Sequence, residues 1–113
     1  MKVKEIVDKF DLKVLTAPGK LDVEVSGGYT SDLLSDVMAN SRPGNIWITL
    51  QTHQNIVAVA KLRNLAAIVL VNNRTPDEET VKTAEEEQVP LLLTPDPAFQ
   101  VSGKLYMKLS QKD

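Results

Sequence analysis

The sequence predicts an α/β fold, a three-layer sandwich in which a mainly parallel sheet is flanked by helices. The main sign is a set of three short, almost unbroken apolar runs: "IWITL" (46–50), "AAIVLV" (66–71) and "VPLLL" (89–93). Strands that are buried on both faces have this pattern, because helices cover both sides of a parallel sheet. The spacing of the runs is a second sign, since it leaves room for one helix and two short turns, as in a βαβ crossover.

The residues before these runs predict one helix and two strands. Helical spacing in "VKEIVDKF" places four apolar residues on one inward face, Val3, Ile6, Val7 and Phe10. The segments "KVLT" and "DVEVS" are predicted to be strands, and the Pro-Gly pair of "APGK" is predicted to form the turn between them. The pair Gly27-Gly28 follows the second strand and is expected to form a tight turn.

Two further helices are predicted around the first apolar run. "SDLLSDVMA" has a helical stripe of apolar residues, with Thr30 or Ser31 as its cap. "HQNIVAVAKLRNL" follows the run and has four residues on one face by spacing, Ile56, Val59, Ala60 and Arg63.

The last two predicted helices flank the third run. "TPDEETVKTAEEEQ" has Thr75 as its expected N-cap, Pro76 at its first helical position and acidic residues in its first turn. "PDPAFQVSGKLYMKL" places Phe99, Leu105, Tyr106 and Leu109 at roughly helical spacing. Ser102-Gly103 interrupts this last segment, which therefore predicts a kinked helix.

Composition restricts the function. The 113 residues suffice for one domain, 1–113, and the net charge of -2 does not favour nucleic acid or a membrane surface as a partner. The sequence has no cysteine, which excludes disulfides, thiolate metal sites and cysteine nucleophiles and fits the cytoplasm, the expected location. The N-terminal residues do not have the pattern of a signal peptide, and the apolar runs are too short to span a bilayer. We expect no metal and no cofactor.

The glycine pair does not belong to a nucleotide-binding loop. A Rossmann loop needs G-x-G-x-x-G, whereas the chain has "GGY" (27–29). A P-loop needs G-x-x-x-x-G-K-[ST], but Gly19-Lys20 has Val14 and Leu21 where a glycine and a hydroxyl are required. Gly27-Gly28 therefore either offers backbone N–H groups to an anion or allows two backbones to pack closely.

Polar residues follow all three core strands, in "QTHQN" (51–55), "NNRT" (72–75) and "TPDP" (94–97). The carboxyl ends of parallel strands meet at one edge of a sheet, where open α/β sheets bind ligands. These residues can serve as helix caps and turns, as in every α/β fold. They can also bind a small polar or anionic ligand, and the hypothetical ligand site is then Gly27, Gly28, Thr52, His53, Asn73 and Arg74.

His53, the one histidine of the chain, has no neighbours at metal-site spacing and no evident partner for acid–base catalysis. It is therefore expected to cap a helix or to lie on the surface. Trp47 lies in a core-like run and is expected to be packed. The acidic stretch "EEE" (85–87) is most simply the solvated end of a helix, because consecutive residues point in different directions.

The stretches "EVSGGYTSDLLSDVMAN" and "GNIWITLQTHQNIVAVAKLRNLAAIVLVNNRTPDEETVKTAEEEQVPLLLTPDPAF" resemble a stand-alone DRTGG domain. That family is similar to the N-terminal domain of HPr kinase/phosphorylase, and also occurs beside CBS domains and in some phosphotransacetylases. The namesake motif falls on residues 24–28, where the two glycines match and Val25 replaces the arginine. Kinase chemistry belongs to a separate P-loop domain, so the resemblance does not imply that this chain is an enzyme.

The resemblance and the residues lead to two hypotheses. The first is a non-catalytic regulatory or interaction domain that acts through homodimerisation or by binding a protein partner. The second is a small-molecule sensor that binds a nucleotide or another anionic metabolite at the carboxyl edge of the sheet. For the first hypothesis we expect a dimer interface on the apolar stripe of the second helix, Leu33, Leu34, Val37 and Met38.

Overall fold

The computed structural model describes residues 1–111. Within this range, one sheet is formed by the strands β1 (Lys13–Val14), β2 (Gly27–Thr30), β3 (Asn45–Thr49), β4 (Ala67–Leu70) and β5 (Leu91–Leu93). The helices are α1 (Val3–Phe10), α2 (Leu34–Asn40), α3 (Asn55–Leu62), α4 (Glu78–Glu86) and α5 (Ala98–Ser110). A short 3₁₀ turn covers Pro18–Lys20.

The strand order across the sheet is β1-β5-β4-β3-β2. The strands β2, β3, β4 and β5 are parallel to their neighbours, and β1 alone runs antiparallel, beside β5. This confirms the predicted α/β fold with a mainly parallel sheet. The three apolar runs form β3, β4 and β5, and α3 and α4 make the crossovers between them.

The sheet separates two apolar cores. On one face α1 and α5 cover the sheet, and their residues Val3, Ile6 and Leu105 pack with Ile48 of β3. On the other face α2, α3 and α4 pack around Trp47, the residue before Ile48 in the same strand. Successive residues of a strand point to opposite faces, so β3 contributes to both cores. This arrangement confirms the predicted three layers.

Three helices end in a left-handed residue that is not glycine. Asp11, Asn64 and Gln88 follow α1, α3 and α4 with φ of 54°, 54° and 55°. In each case the next N–H donates to a carbonyl five residues earlier, as from Leu65 to Ala60. This closes the helix in the manner of a Schellman motif and turns the chain towards the sheet.

The expected strand "DVEVS" and the glycine turn after it are wrong. Residues 21–25 instead run beside the start of α1, where the N–H groups of Val3 and Lys4 donate to the carbonyls of Val23 and Leu21. The segment therefore satisfies donors that the first turn of a helix leaves free. Gly27 and Gly28 lie inside β2, paired with Asn45 and Ile46 of β3. The predicted strand "KVLT" is confirmed only at its two residues in β1.

Helix starts differ from the predicted caps. α2 begins at Leu34, and the hydroxyl of Ser31 accepts only the N–H of Leu33. α4 begins after Asp77, two residues beyond the predicted Thr75, although Glu78 and Glu79 do fill its first turn.

α5 differs from the predicted kinked helix in two respects. It is continuous through Ser102-Gly103. Val101 and Leu105 form its buried face, and Phe99 and Tyr106 are exposed.

Candidate functional site

The polar strand ends do meet at one edge, and many of their groups are used in turns. The N–H groups of Asn72 and Asn73 donate to the carbonyls of Asp96 and Thr94 at 2.9 and 3.0 Å. Asn72 and Asn73 both have a left-handed backbone, with φ of 57° and 55°, which asparagine tolerates better than most residues. These bonds join the end of β4 to the end of β5 in a defined geometry.

Thr52 and His53 have local structural roles. The carbonyl of Thr52 accepts the hydroxyl of Thr80 at 2.6 Å and the N–H of Asp77 at 3.2 Å, which ties the end of β3 to α4. The Nδ1 atom of His53 accepts the N–H of Asn55 at 3.1 Å, at the start of α3. The imidazole is exposed, so the prediction that His53 caps a helix or lies on the surface is confirmed for the surface position.

The six residues predicted to form a ligand site do not come together. Gly27 and Gly28 begin β2 and therefore lie towards the amino ends of the parallel strands, whereas Thr52, Asn73 and Arg74 follow strands and lie at the carboxyl edge. The prediction failed because it treated "DVEVS" as the strand that precedes the glycine pair. A glycine pair that follows a strand would lie at the carboxyl edge of the sheet, whereas these two glycines begin a strand. His53 lies in a separate hollow formed by α3 and α4. The ligand-binding role of these residues stays a prediction.

A groove between β2 and α5 contains the glycine pair. It has a volume of about 450 Å³ and is lined mainly by apolar atoms of Ile48, Leu105, Tyr106 and Leu109. A Cβ atom on Gly28 would lie 2.7 Å from Cδ2 of Leu105, so the glycine allows α5 to pack closely on the strand. We call this feature the β2–α5 groove.

α5 also carries three large apolar side chains that are exposed. Phe99, Tyr106 and Met107 have relative exposures of 89%, 74% and 65%. Sequence reasoning grouped Phe99 and Tyr106 with Leu105 and Leu109. It missed that Val101 and Leu105 face the core, whereas Phe99 and Tyr106 are exposed. The seven-residue interval between Phe99 and Tyr106 was the available signal, since it places the two residues on the same side of a helix. We call Phe99, Tyr106 and Met107 the α5 patch.

The predicted dimer stripe of α2 is divided by the fold. Val37 is fully buried and Leu34 is half-buried, and both pack around Trp47. Leu33 and Met38 remain exposed, at 63% and 36%. The stripe is therefore not one continuous surface, because half of it holds the short helix on its own sheet. Its role in an interface stays a prediction.

Two carboxylates hold α2 and the residues before it against the sheet. Asp36 accepts the hydroxyl of Tyr29 at 2.7 Å and the side-chain amide of Asn40 at 2.8 Å. The bond from Tyr29 is the main cause of a lowered pKa of Asp36, and the same bond raises the pKa of Tyr29. Asp32 accepts the hydroxyl of Thr49 and the N–H of Leu50, at the end of β3. Both carboxylates therefore accept hydrogen bonds that stabilise the fold.

A second concavity lies at the carboxyl edge, between β1, the end of β5 and the start of α4. Its volume is about 460 Å³, and Arg74 and Lys13 supply its cations. Asn73, Thr75 and Thr94 add polar groups to the lining. We call it the Arg74 cleft.

Trp47 is packed in the core as predicted, and its Nε1 donates to the carbonyl of Ser31 at 2.9 Å. The "EEE" stretch is exposed, but Glu85 also accepts the N–H of Ala17 at 2.8 Å. Among residues 1–111, no cluster of three His, Cys, Asp or Glu side chains has an arrangement suited to a metal ion. None of the helices in the same range combines the length and apolarity needed to cross a membrane.

The fold is similar to a solved regulatory structure. That structure contains the CBS and DRTGG domains of the regulatory region of Clostridium perfringens pyrophosphatase, complexed with the activator diadenosine tetraphosphate. The match has a TM-score of 0.73 and covers 91% of this chain and 44% of the other, at 15% identity. This chain thus spans less than half the length of the chain in that structure, and the likeness concerns the fold.

Among curated proteins, no relative matches this chain significantly. The sequence profile of the DRTGG domain matches residues 5–107, which is nearly the whole chain. That range includes β2, the Arg74 cleft and most of α5. The chain therefore belongs to the DRTGG domain family.

Proposed function

We propose that this chain is a non-catalytic regulatory domain that acts through a protein–protein contact, with a second copy of itself or with another protein. The observation that carries the proposal is the α5 patch, in which Phe99 and Tyr106, seven residues apart on one side of the helix, and Met107 are exposed. Exposed apolar residues that gather on one part of a surface mark interaction sites, whereas scattered single ones need no explanation.

The edge of the sheet beside this patch supports the same proposal. In the described part of the chain, β2 pairs with β3 only, so its outer backbone groups are available to another strand. Its sequence, "GGYT", contains no charge and no proline, the residues that usually prevent edge pairing. The opposite edge is better protected, because β1 has only two residues and one of them is Lys13.

A homodimer is the simplest contact of this kind. Closed two-fold dimers are the commonest assembly, and a two-fold axis would place one β2 antiparallel to the other. Antiparallel strands satisfy each other's backbone groups, and uncharged strands meet without like-charge repulsion. The α5 patches would lie beside such a joint.

Sedimentation of the native chain and of Tyr106→Glu tests this proposal. Native protein is expected to dimerise, and the variant is expected to be a folded monomer with an unchanged circular dichroism spectrum. Leu62→Glu is the matched control, because Leu62 is 68% exposed on α3, on the other side of the sheet. Met38→Glu tests the α2 surface separately. Two results together would refute the proposal. The native chain would be monomeric at all concentrations, and no other protein would bind to the α5 patch.

A second candidate function is a sensor for a nucleotide or another anionic metabolite. The concavity with two cations at the carboxyl edge favours this candidate. The solved DRTGG-containing structure was complexed with a nucleotide activator, which also supports it. A thermal-shift screen with nucleotides and phosphorylated metabolites provides the test, since a ligand that binds the folded state raises the melting temperature.

We also propose that the chain has no phosphotransferase activity and acts in the cytoplasm. The absence of a P-loop motif and of cysteine from the sequence supports these two points. Transfer of phosphate from ATP to a protein, abolished by a point mutation in this chain, would contradict the first.

A further inference from the structure

We propose that the Arg74 cleft binds a phosphorylated small molecule whose remaining part is partly apolar. This inference rests on the second candidate function and gives it a location, a set of residues and a ligand class. Neither the glycine pair nor His53 belongs to the site.

The cleft brings together cations from separate parts of the chain. Lys13 comes from β1, and Arg74 comes from the turn after β4, so the fold itself places them on one concavity. Among residues 1–111, neither side chain has a hydrogen bond or ion pair. The one carboxylate in the lining is Asp11. A guanidinium presents paired donors that match a phosphate group, and a lysine adds a mobile positive charge.

The backbone around Arg74 is held in place before any ligand arrives. The N–H of Arg74 donates to the carbonyl of Val71 at 3.2 Å, and the bond from Asn73 to Thr94 crosses to the end of β5. Pro76 is buried, and Pro76 and Pro95 both line the cleft. A site that is already ordered loses less conformational entropy on binding.

The rest of the lining sets the ligand class. Leu15, Val81 and Leu93 are half-buried and form an apolar part of the wall. The volume of about 460 Å³ lies within the usual range for small-molecule sites and exceeds what a phosphate group alone would fill. The β2–α5 groove has no charged residue in its lining, and in the His53 hollow Lys61 is balanced by Glu87.

Isothermal titration with adenosine monophosphate at low ionic strength tests the inference, with adenosine and inorganic phosphate as comparison ligands. The nucleotide is expected to bind more tightly than either. Arg74→Ala and Lys13→Ala are each expected to weaken binding about tenfold, as for the loss of a hydrogen bond to a charged group. Arg42→Ala and Lys20→Ala are the matched controls, because both residues are exposed and lie outside the cleft. Their affinity is expected to equal that of the native chain.

Two results would overturn the inference. One is no binding of the nucleotide at millimolar concentration, and the other is binding that Arg74→Ala and Lys13→Ala leave unchanged. If the thermal-shift screen finds a ligand whose binding neither variant weakens, the Arg74 cleft is refuted as the binding site. The sensor function would then still stand. The proposed protein–protein contact is measured separately, by sedimentation without ligand. Its failure can therefore be distinguished from failure of the cleft and from failure of the sensor function.

Discussion

The contact between Gly28 and Leu105 sets how closely α5 approaches β2, and Gly28→Ala is the change that tests it. A Cβ atom at this position would lie 2.7 Å from Cδ2 of Leu105, whereas ordinary contact begins at 3.4 Å. Leu105 is only 2% exposed, so either its side chain or the helix that carries it must shift within the packed contact.

The cost follows from two opposing effects. Inserting a methyl group into a packed core destabilises a protein by about 1–3 kcal/mol. Replacing glycine by alanine also restricts the unfolded chain, which returns about 0.4–1 kcal/mol. The variant is therefore expected to lose about 1–2 kcal/mol of the free energy of unfolding. Gly103→Ala is the matched control, since a Cβ there meets no atom within 4 Å and alanine favours a helix by about 0.8–1.0 kcal/mol.

Urea unfolding followed by fluorescence measures both variants. Trp47 is the one tryptophan of the chain and is fully buried, so its emission reports unfolding of the core. Combining Gly28→Ala with Leu105→Ala removes the clash, and the double variant is expected to be more stable than the sum of the single effects predicts. The reasoning fails if Gly28→Ala is as stable as the native chain with an unchanged denaturant slope.

Three further predictions concern other contacts. Gly44→Ala is expected to destabilise the chain by about 1–2 kcal/mol in urea unfolding, because Gly44 has a φ of +83°. Thr16→Val is expected to cost about 1–3 kcal/mol, because the buried N–H of Leu91 loses its acceptor; Thr16→Ser should restore most of the loss. In the Asp36→Asn variant, the free energy of unfolding is expected to fall less steeply than in the native chain as the pH is lowered into the acid range. The pKa of Asp36 lies below its usual value of 3.8, so its contribution is complete above that pH and is lost as the pH falls towards the lower, folded-state pKa. An equally steep fall in the variant would mean that the bond from Tyr29 does not hold in solution.

The central strands and the first helix could be predicted because the burial of their apolar side chains determines their sequence patterns. A strand covered on both faces has to be mainly apolar, as all of β4 and β5 and the central residues 46–48 of β3 are. The apolar spacing of α1 is equally direct, and its predicted bounds, 3–10, agree with the structure. In these elements the local pattern and the tertiary environment require the same residues.

The edge strand and the divided site could not be predicted in this way. "GGYT" has no strand pattern, and it becomes β2 through its pairing with β3 and the close approach of Leu105. Sequence reasoning placed the polar strand ends on one edge correctly. It could not tell that Arg74 and His53 line different hollows, because that depends on side-chain direction and on the helices between them.

The left-handed helix ends indicate where the stability of the protein can be increased. Asp11, Asn64 and Gln88 occupy a conformation that costs a residue with a side chain roughly 1–2 kcal/mol, less for asparagine, and that glycine adopts freely. Selection retains proteins that are stable enough, and such positions remain unoptimised. Asp11 lines the Arg74 cleft, whereas Asn64 and Gln88 lie outside it. Asn64 and Gln88 are therefore the places where a thermostable variant can be sought without altering either proposed binding surface.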